Sequence, residues 1–389
     1  MHTTARTAED IVGMVPHTLG YIPHRSLVAI IITTDERGVA RCETTLRIDF
    51  DLDTAAHIVR ESGRWVTDLI VDACRPSGVF FVLYDEDYPG ADEGALVHRG
   101  LVRAAMDEIA MALEAESVDT LSAWWVGGNR FGRIDRPDDE GAPLETAASS
   151  ACATELIAGG SAPARAPEDL VVRPAAVDEA ERFRPGFDEW LDIGVSFDVL
   201  TAAYPRITEL RRSDDDLDRG ALTEIMHPLL VMAIDAMLRQ KWSRDALEMI
   251  FSFNHPDFRP ADLIDCPAGE LACRALEYGS SARAAMETVG LSHRRPRPRD
   301  IRLTIEFFKH YLPWGHPEVR ASAYAVIAWF EWAGGGSTMA EQYARAALDL
   351  DADHVMAGLV LRAVDSGYLP KWLDEARSRR GRTDSPRRE

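Results

Sequence analysis

At 389 residues the chain exceeds what one hydrophobic core usually organises, since single cores stop growing near ~250–300 residues, so two domains are expected. A hydrophobic content of 46% lets each bury a core, and no apolar run approaches the ~18–20 residues of a membrane span, which excludes a membrane partner. The formal net charge of −21 sets most of the surface against nucleic-acid phosphates and anionic lipids, and favours cationic partners or neutral small molecules.

Residues 8–20 read as a short helix running into a turn at Pro16 and Gly20. Leu27-Val-Ala-Ile-Ile-Ile32 is a continuous β-branched run, the pattern of a strand covered on both faces. Asp35-Glu-Arg-Gly38 reads as a hairpin turn into a second strand near 39–49. From Asp53 to Asp72 the apolar residues Ile58, Val59, Trp65, Val66, Leu69 and Ile70 predict one amphipathic helix. Val79-Phe-Phe-Val-Leu-Tyr84 repeats the buried-strand pattern, Val97, Leu101, Ala105, Ile109 and Leu113 mark another helix, and 118–126 reads as a strand. Alternation of this kind packs helices against a mixed sheet, because crossover helices need a sheet face on which to bury their stripes.

The expected architecture is an α/β domain over 1–135, with a mixed sheet of about four strands and packed helices. A linker carrying one helix (145–158) follows over 136–175, then an all-α helical array over 176–375 broken at Pro205, the acidic 214–216 loop and several further prolines. The last residues, 376–389, form a disordered basic tail whose arginines offer at most weak contact with nucleic acid. Five scattered cysteines make no C-x-x-C pair and the N-terminus has no apolar leader, so a reducing cytoplasm is the expected location.

Two imidazoles, a guanidinium and a hydroxyl cluster before the first strand in His17, His24, Arg25 and Ser26. Such groups can bind an anion or move a proton, while the plainer reading is a shaped approach loop with histidines on backbone groups. Asp49, Asp51, Asp85, Glu86 and Asp87 gather at strand ends, where they could hold a hard cation if the loops share one sheet edge; as structural residues, Asp53 caps a helix and the others are solvated. Gly127-Gly-Asn-Arg-Phe-Gly132 has phosphate-loop glycine spacing, but Arg133-Ile134 and Pro137 rule out a P-loop. Asn129, Arg130 and Arg133 could still meet an anionic ligand, against the alternative of a solvent-facing turn. Trp124 and Trp125 must point to opposite faces of a strand. Thr338-Met-Ala-Glu341 reads as a capping box, after glycines that end the previous helix. No G-x-S-x-G elbow, H-E-x-x-H helix or dinucleotide fingerprint stands in its required context, which removes the easiest hydrolase, metalloprotease and dinucleotide assignments, names no metal set and leaves any cofactor unknown.

The stretch from Asp10-Ile-Val-Gly-Met-Val-Pro-His-Thr-Leu-Gly-Tyr-Ile-Pro-His-Arg to Val28 resembles the opening of the actinobacterial domain of unknown function 4192 family. The likeness extends to Ser122-Ala-Trp-Trp125, Glu140-Gly-Ala-Pro143, the Ala/Ser-rich helix with Gly159 and the helical end from Ala340 to Trp372. It implies the whole-chain organisation and a bacterial cytoplasmic origin, and it assigns no catalytic residue. Members often carry clustered cysteines after the Trp-bearing strand; this sequence has none from Gly127 to Ala151, so no metal or redox role is implied there.

Separately, Glu341 to Ala352 is similar to the second helix of a tetratricopeptide repeat, with Tyr343, Ala347 and Leu350 at packing intervals, though fewer than two repeats can be counted. The first functional reading is therefore a non-enzymatic binding or adaptor protein that meets a protein partner through its C-terminal helices. The alternative is an enzyme, or a small-ligand or metal-binding protein, with its site on strand-end loops at His17, His24, Arg25, Asn129 and Arg130.

Overall fold

The computed structural model describes residues 4–34, 38–73, 76–90, 92–136, 140–184, 190–212, 219–252, 255–264 and 266–373. The basic tail, the acidic 214–216 loop and the first three residues of the Asp35–Gly38 turn lie outside them. The chain divides into two compact units between Leu170 and Val171.

The first unit runs α1 (Ala8–Leu19), β1 (Ser26–Thr34), β2 (Ala40–Asp49), α2 (Leu52–Arg60), α3 (Arg64–Ala73), β3 (Gly78–Tyr84), α4 (Glu93–Ala115), β4 (Asp119–Gly127), β5 (Arg130–Arg133), β6 (Ala142–Pro143), α5 (Leu144–Ala148) and α6 (Ala151–Ala158). Its sheet has the order β2-β1-β3-β4-β5-β6, with β3 and β4 parallel and every other neighbouring pair antiparallel. Alternate side chains split into two cores. Leu27, Ala29, Ile31, Phe81, Leu83 and Trp125 pack with residues of α2, α3 and α4 on one face, while Val28, Ile30, Val82, Trp124 and Val126 pack with Val12, Val15 and Ala147 on the other. The continuous apolar runs of β1 and β3 are thus the mark of a sheet covered on both sides.

Among the described residues the sheet has six strands where about four are expected. β5 is only four residues long and β6 two, so neither carries enough alternation to stand out in sequence. The helix expected over 53–72 is two helices: the chain reverses through Ser62 and Gly63, both at positive φ, 57° and 61°. A side chain at Gly63 would press within 3.0 Å of the α4 backbone, so glycine is needed there for space as well as for angle. Asp51 caps α2, accepting from the Thr54 amide at 2.8 Å; Asp53 lies in the first turn. Residues 142–158 supply the last strand and two helices of this unit, with Ala147 in its core.

The second unit is helical throughout its described residues: α7 (Val177–Phe183), α8 (Ile193–Arg212), α9 (Arg219–Ile225), α10 (Pro228–Leu238), α11 (Lys241–Phe251), α12 (Pro260–Ile264), α13 (Glu270–Gly279), α14 (Ala282–Thr288), α15 (Pro298–Tyr311), α16 (Arg320–Gly334), α17 (Ser337–Leu350) and α18 (Val355–Asp365). α10, α11 and α16 are buried nearly all round, and Phe251, Phe307, Phe308 and Trp329 fill the centre. Within this core Arg184 and Asp235 form a fully buried ion pair, and Asp235 also accepts from Tyr311 Oη at 2.6 Å and the His316 amide at 2.9 Å. The capping box expected at Thr338 is absent. Gly335, at φ 92°, ends α16, and α17 starts at Ser337 behind Gly336 without a side-chain cap, which puts Thr338 already inside the first turn.

Candidate functional site

Strand register decides which loops meet. Ser26 stands between Asp49 of β2 and Tyr84 of β3, and Tyr84 is paired with Val126 of β4. The approach to β1, the ends of β2, β3 and β4, and the β4–β5 turn therefore share one sheet edge. It is the carboxyl-terminal edge of the parallel pair, where open α/β sheets place ligands.

Along that edge His24 and Arg25 are exposed. Arg25 holds a left-handed backbone at φ 44°, and its carbonyl accepts from the Phe50 amide at 2.8 Å, which ties the approach loop to the end of β2. Thr54 donors hold the Asp51 carboxyl below its ordinary range, helped by the charge of Arg25. Arg47 reaches both Asp49 and the Ser26 hydroxyl. At the end of β3, Asp85 is nearly buried; it accepts from the Asp87 amide at 3.0 Å and meets His98 Nε2 of α4 at 2.5 Å. Glu86 accepts from the Gly128 amide at 2.7 Å, and a side chain at Gly127 would overlap the Asp85 carbonyl, so these two strand ends are closely knit. Beneath them Tyr88 packs on Trp125 with ring centroids 5.6 Å apart, and burial pushes its phenol up to about 12.

The remaining candidates are engaged elsewhere. His17, in the last turn of α1, meets Ser161 Oγ through Nδ1 at 2.9 Å, and partial burial pushes its imidazole pKa down. Asn129 and Gly128, at φ 60° and 54°, form a two-residue hairpin turn of the type whose twist suits β strands, and the Asn129 carbonyl accepts from Leu144. Arg130 donates to the carbonyls of Glu140 and Gly141 at 2.7 and 2.5 Å, binding the chain that returns as β6. Arg133 grips Asp135 with two parallel bonds of 2.8 Å. Trp124 and Trp125 are both core residues, one in each face. Among the described residues no group of three or more His, Cys, Asp and Glu side chains is placed to hold a metal ion. His98 escaped the sequence reading because one histidine on a long amphipathic helix carries no signal until Asp85 is known to face it.

The second unit holds a feature with no local sequence motif. A cavity of about 230 Å³ opens between the end of α14, α16 and α18, lined by Thr288, Val289, Trp329, Trp332, Met356, Leu359, Val360, Arg362, Ala363, Ser366 and Tyr368. Its indoles are fixed from behind: Trp329 Nε1 donates to the Thr288 carbonyl at 2.6 Å, and Trp332 Nε1 to that of Tyr368 at 3.0 Å. The polar edge of each ring is thereby satisfied inside the fold, and Trp332 also stacks on Tyr368 with ring centroids 6.2 Å apart. Leu359 and Tyr368 stand about 40% exposed at its mouth, and Val355, one turn before Leu359, is 70% exposed.

Residues 9–253 match the family described as domain of unknown function (DUF4192). The chain belongs to this family. The DUF4192 match covers all of the sheet and continues through α11, so it includes part of each compact unit. Neither a curated protein nor a solved structure matches the chain. No described helix is long and apolar enough to cross a membrane.

Proposed function

We propose that this DUF4192 protein is a non-enzymatic adaptor whose helical unit captures a segment of a partner protein. The observation that carries the reading is the cavity between α14, α16 and α18, with Leu359 and Tyr368 exposed at its mouth and Val355 exposed one helical turn before Leu359. Apolar side chains one helical turn apart on an outer face are what an inserted segment reads in helix-in-groove recognition. Walls already fixed by hydrogen bonds lower the ordering cost of binding. The pairing of α17 with α16 and α18, and full burial of Tyr343 and Ala347, support a tetratricopeptide-like helix arrangement, although Leu350 is exposed.

The test is tagged purification from the native host at physiological salt, comparing the natural chain with Val355→Asp/Leu359→Asp. Both positions are exposed, so the pair should fold normally. A stoichiometric protein partner lost from the variant supports the adaptor; partners retained unchanged by the variant refute this groove.

A second reading rests on the sheet edge, where His24, Arg25, Asp51 and the Asp85–His98 pair are brought to one side by strand register. A buried carboxylate holding an imidazole is an arrangement suited to proton transfer or to polar ligand recognition. A small molecule that co-purifies with the natural chain and is lost from His98→Ala, with no protein partner present, would favour this ligand-binding or enzymatic alternative.

A further inference from the structure

The cavity between α14, α16 and α18 is apolar except at its rim, where α18 contributes Arg362 and Ser366. Ser366 Oγ is engaged with its own helix, donating to the carbonyls of Arg362 and Ala363. Arg345 pairs with Glu341, Arg283 with Asp257 and Glu287, Arg297 with Asp300 and Arg244 with Asp245, whereas Arg362 is exposed and has no ion-pair partner among the described residues. Its guanidinium is therefore available to a ligand charge at the rim of an otherwise apolar cavity.

Resting on the adaptor reading, we infer that the docking segment carries a carboxylate next to its apolar anchor: the anchor enters the cavity against Trp332, Leu359 and Val360, and Arg362 takes the carboxylate in a charge-assisted hydrogen bond. A planar guanidinium presents two parallel donors that match a carboxylate, which gives orientation as well as attraction. The anchor is one or two side chains, since 230 Å³ is below the usual range of ~300–1,000 Å³ for drug-sized ligands. A segment ending in an apolar residue with a free terminal carboxylate meets both requirements.

The probe is N-acetyl-leucyl-phenylalanine as the free acid and as its C-terminal amide, titrated into the full chain and followed by tryptophan fluorescence and isothermal titration calorimetry. The acid is expected to bind about tenfold more tightly than the amide, as suits one charge-assisted contact at a partly exposed site. This preference should vanish in Arg362→Gln and survive in Arg362→Lys with reduced magnitude. Equal binding of acid and amide by the natural chain overturns the inference while leaving the apolar groove and the adaptor reading standing. A preference that persists in Arg362→Gln also overturns it, since another group would then hold the carboxylate. Absence of binding by both probes overturns the assignment of the anchor to this cavity, and the co-purification comparison then decides the adaptor reading on its own.

Discussion

Gly13 and Gly100 both lie inside helices, α1 and α4, and the same change to alanine should move stability in opposite directions. At Gly100 a methyl group meets nothing within 4 Å, so the helix-propensity gain stands alone and Gly100→Ala should stabilise by ~0.5–1 kcal/mol. At Gly13 the methyl would sit 2.2 Å from the Ala147 carbonyl oxygen and 3.0 Å from Ser150 Oγ. Comfortable non-bonded separations are ~3.5 Å, so α1 and α5 would have to part by about 1 Å, and the obstacle is backbone, which has no rotamer to turn aside. Overpacking of this kind costs ~1–3 kcal/mol, and subtracting the propensity gain leaves Gly13→Ala destabilised by up to ~2.5 kcal/mol. Hydrogen exchange read by mass spectrometry on peptides spanning 8–19 and 144–158 is the fitting assay, because a chain of two units need not unfold in one step. Slower exchange in Gly13→Ala, matching the gain at Gly100→Ala, would refute the close approach of α1 to α5.

The remaining predictions concern buried charge. Asp10 accepts amides from Arg6, Thr7 and Cys152; burial opposes its ionisation, yet these donors hold its carboxyl below the ordinary value, so Asp10→Ala should cost about 2 kcal/mol in the first unit by denaturant melting. Its contribution is present above the ordinary carboxylate pKa and should fade as pH falls below about 4, checked by the same melts. Asp235→Ala leaves Arg184 buried without its partner and should cost ~3–5 kcal/mol in the second unit, whereas replacing both residues with Met should recover only the part due to the unpaired charge in thermal melts, because the Tyr311 hydroxyl and His316 amide still lack their acceptor. Glu287 and Glu248 should respond oppositely to pH. Burial would raise Glu287, but His255, Tyr278 and Arg283 bring it to about 2, so its stabilisation, complete above 4.5, is lost as pH falls from 4.5 towards 2 and should disappear in Glu287→Gln. Glu248 is fully buried, its carboxyl oxygens without a hydrogen-bond partner, and burial beside Asp245 raises its pKa well above the ordinary range. The folded state therefore favours its neutral form, stability falls as pH rises above 4.5, and Glu248→Gln should gain most at pH 8, as measured by urea titration at several pH values.

Legibility in the sequence followed the length of each periodic signal. The nine residues of β1 and the seven of β3 announced themselves as buried strands because both faces of the sheet are covered, and the division into an α/β part and a helical part follows from the same alternation. β5 and β6 were hidden by brevity, and the break between α2 and α3 by apolar spacing that continues across Ser62 and Gly63. The candidate residues divide in the same way. His24, Arg25, Asp51 and Asp85 come to one sheet edge, as their positions beside strand ends suggest, but Arg130 and Asn129 are occupied with the β4–β5 turn and His17 with Ser161. The cavity in the helical unit has no sequence signature, because Trp329 and Trp332 of α16, Leu359 of α18 and Tyr368 just beyond it are brought together only by tertiary packing.

The all-round burial of α10 and α11 has a bearing on how the chain is made. At a synthesis rate of ~5–20 residues per second, these two helices emerge several seconds before α15 and α16, which complete the core they share. The sheet unit has by then received its last strand and both closing helices. The nascent second unit passes through a stage with its stickiest surface uncovered, and that interval is when a holding chaperone would matter most to the yield of folded protein.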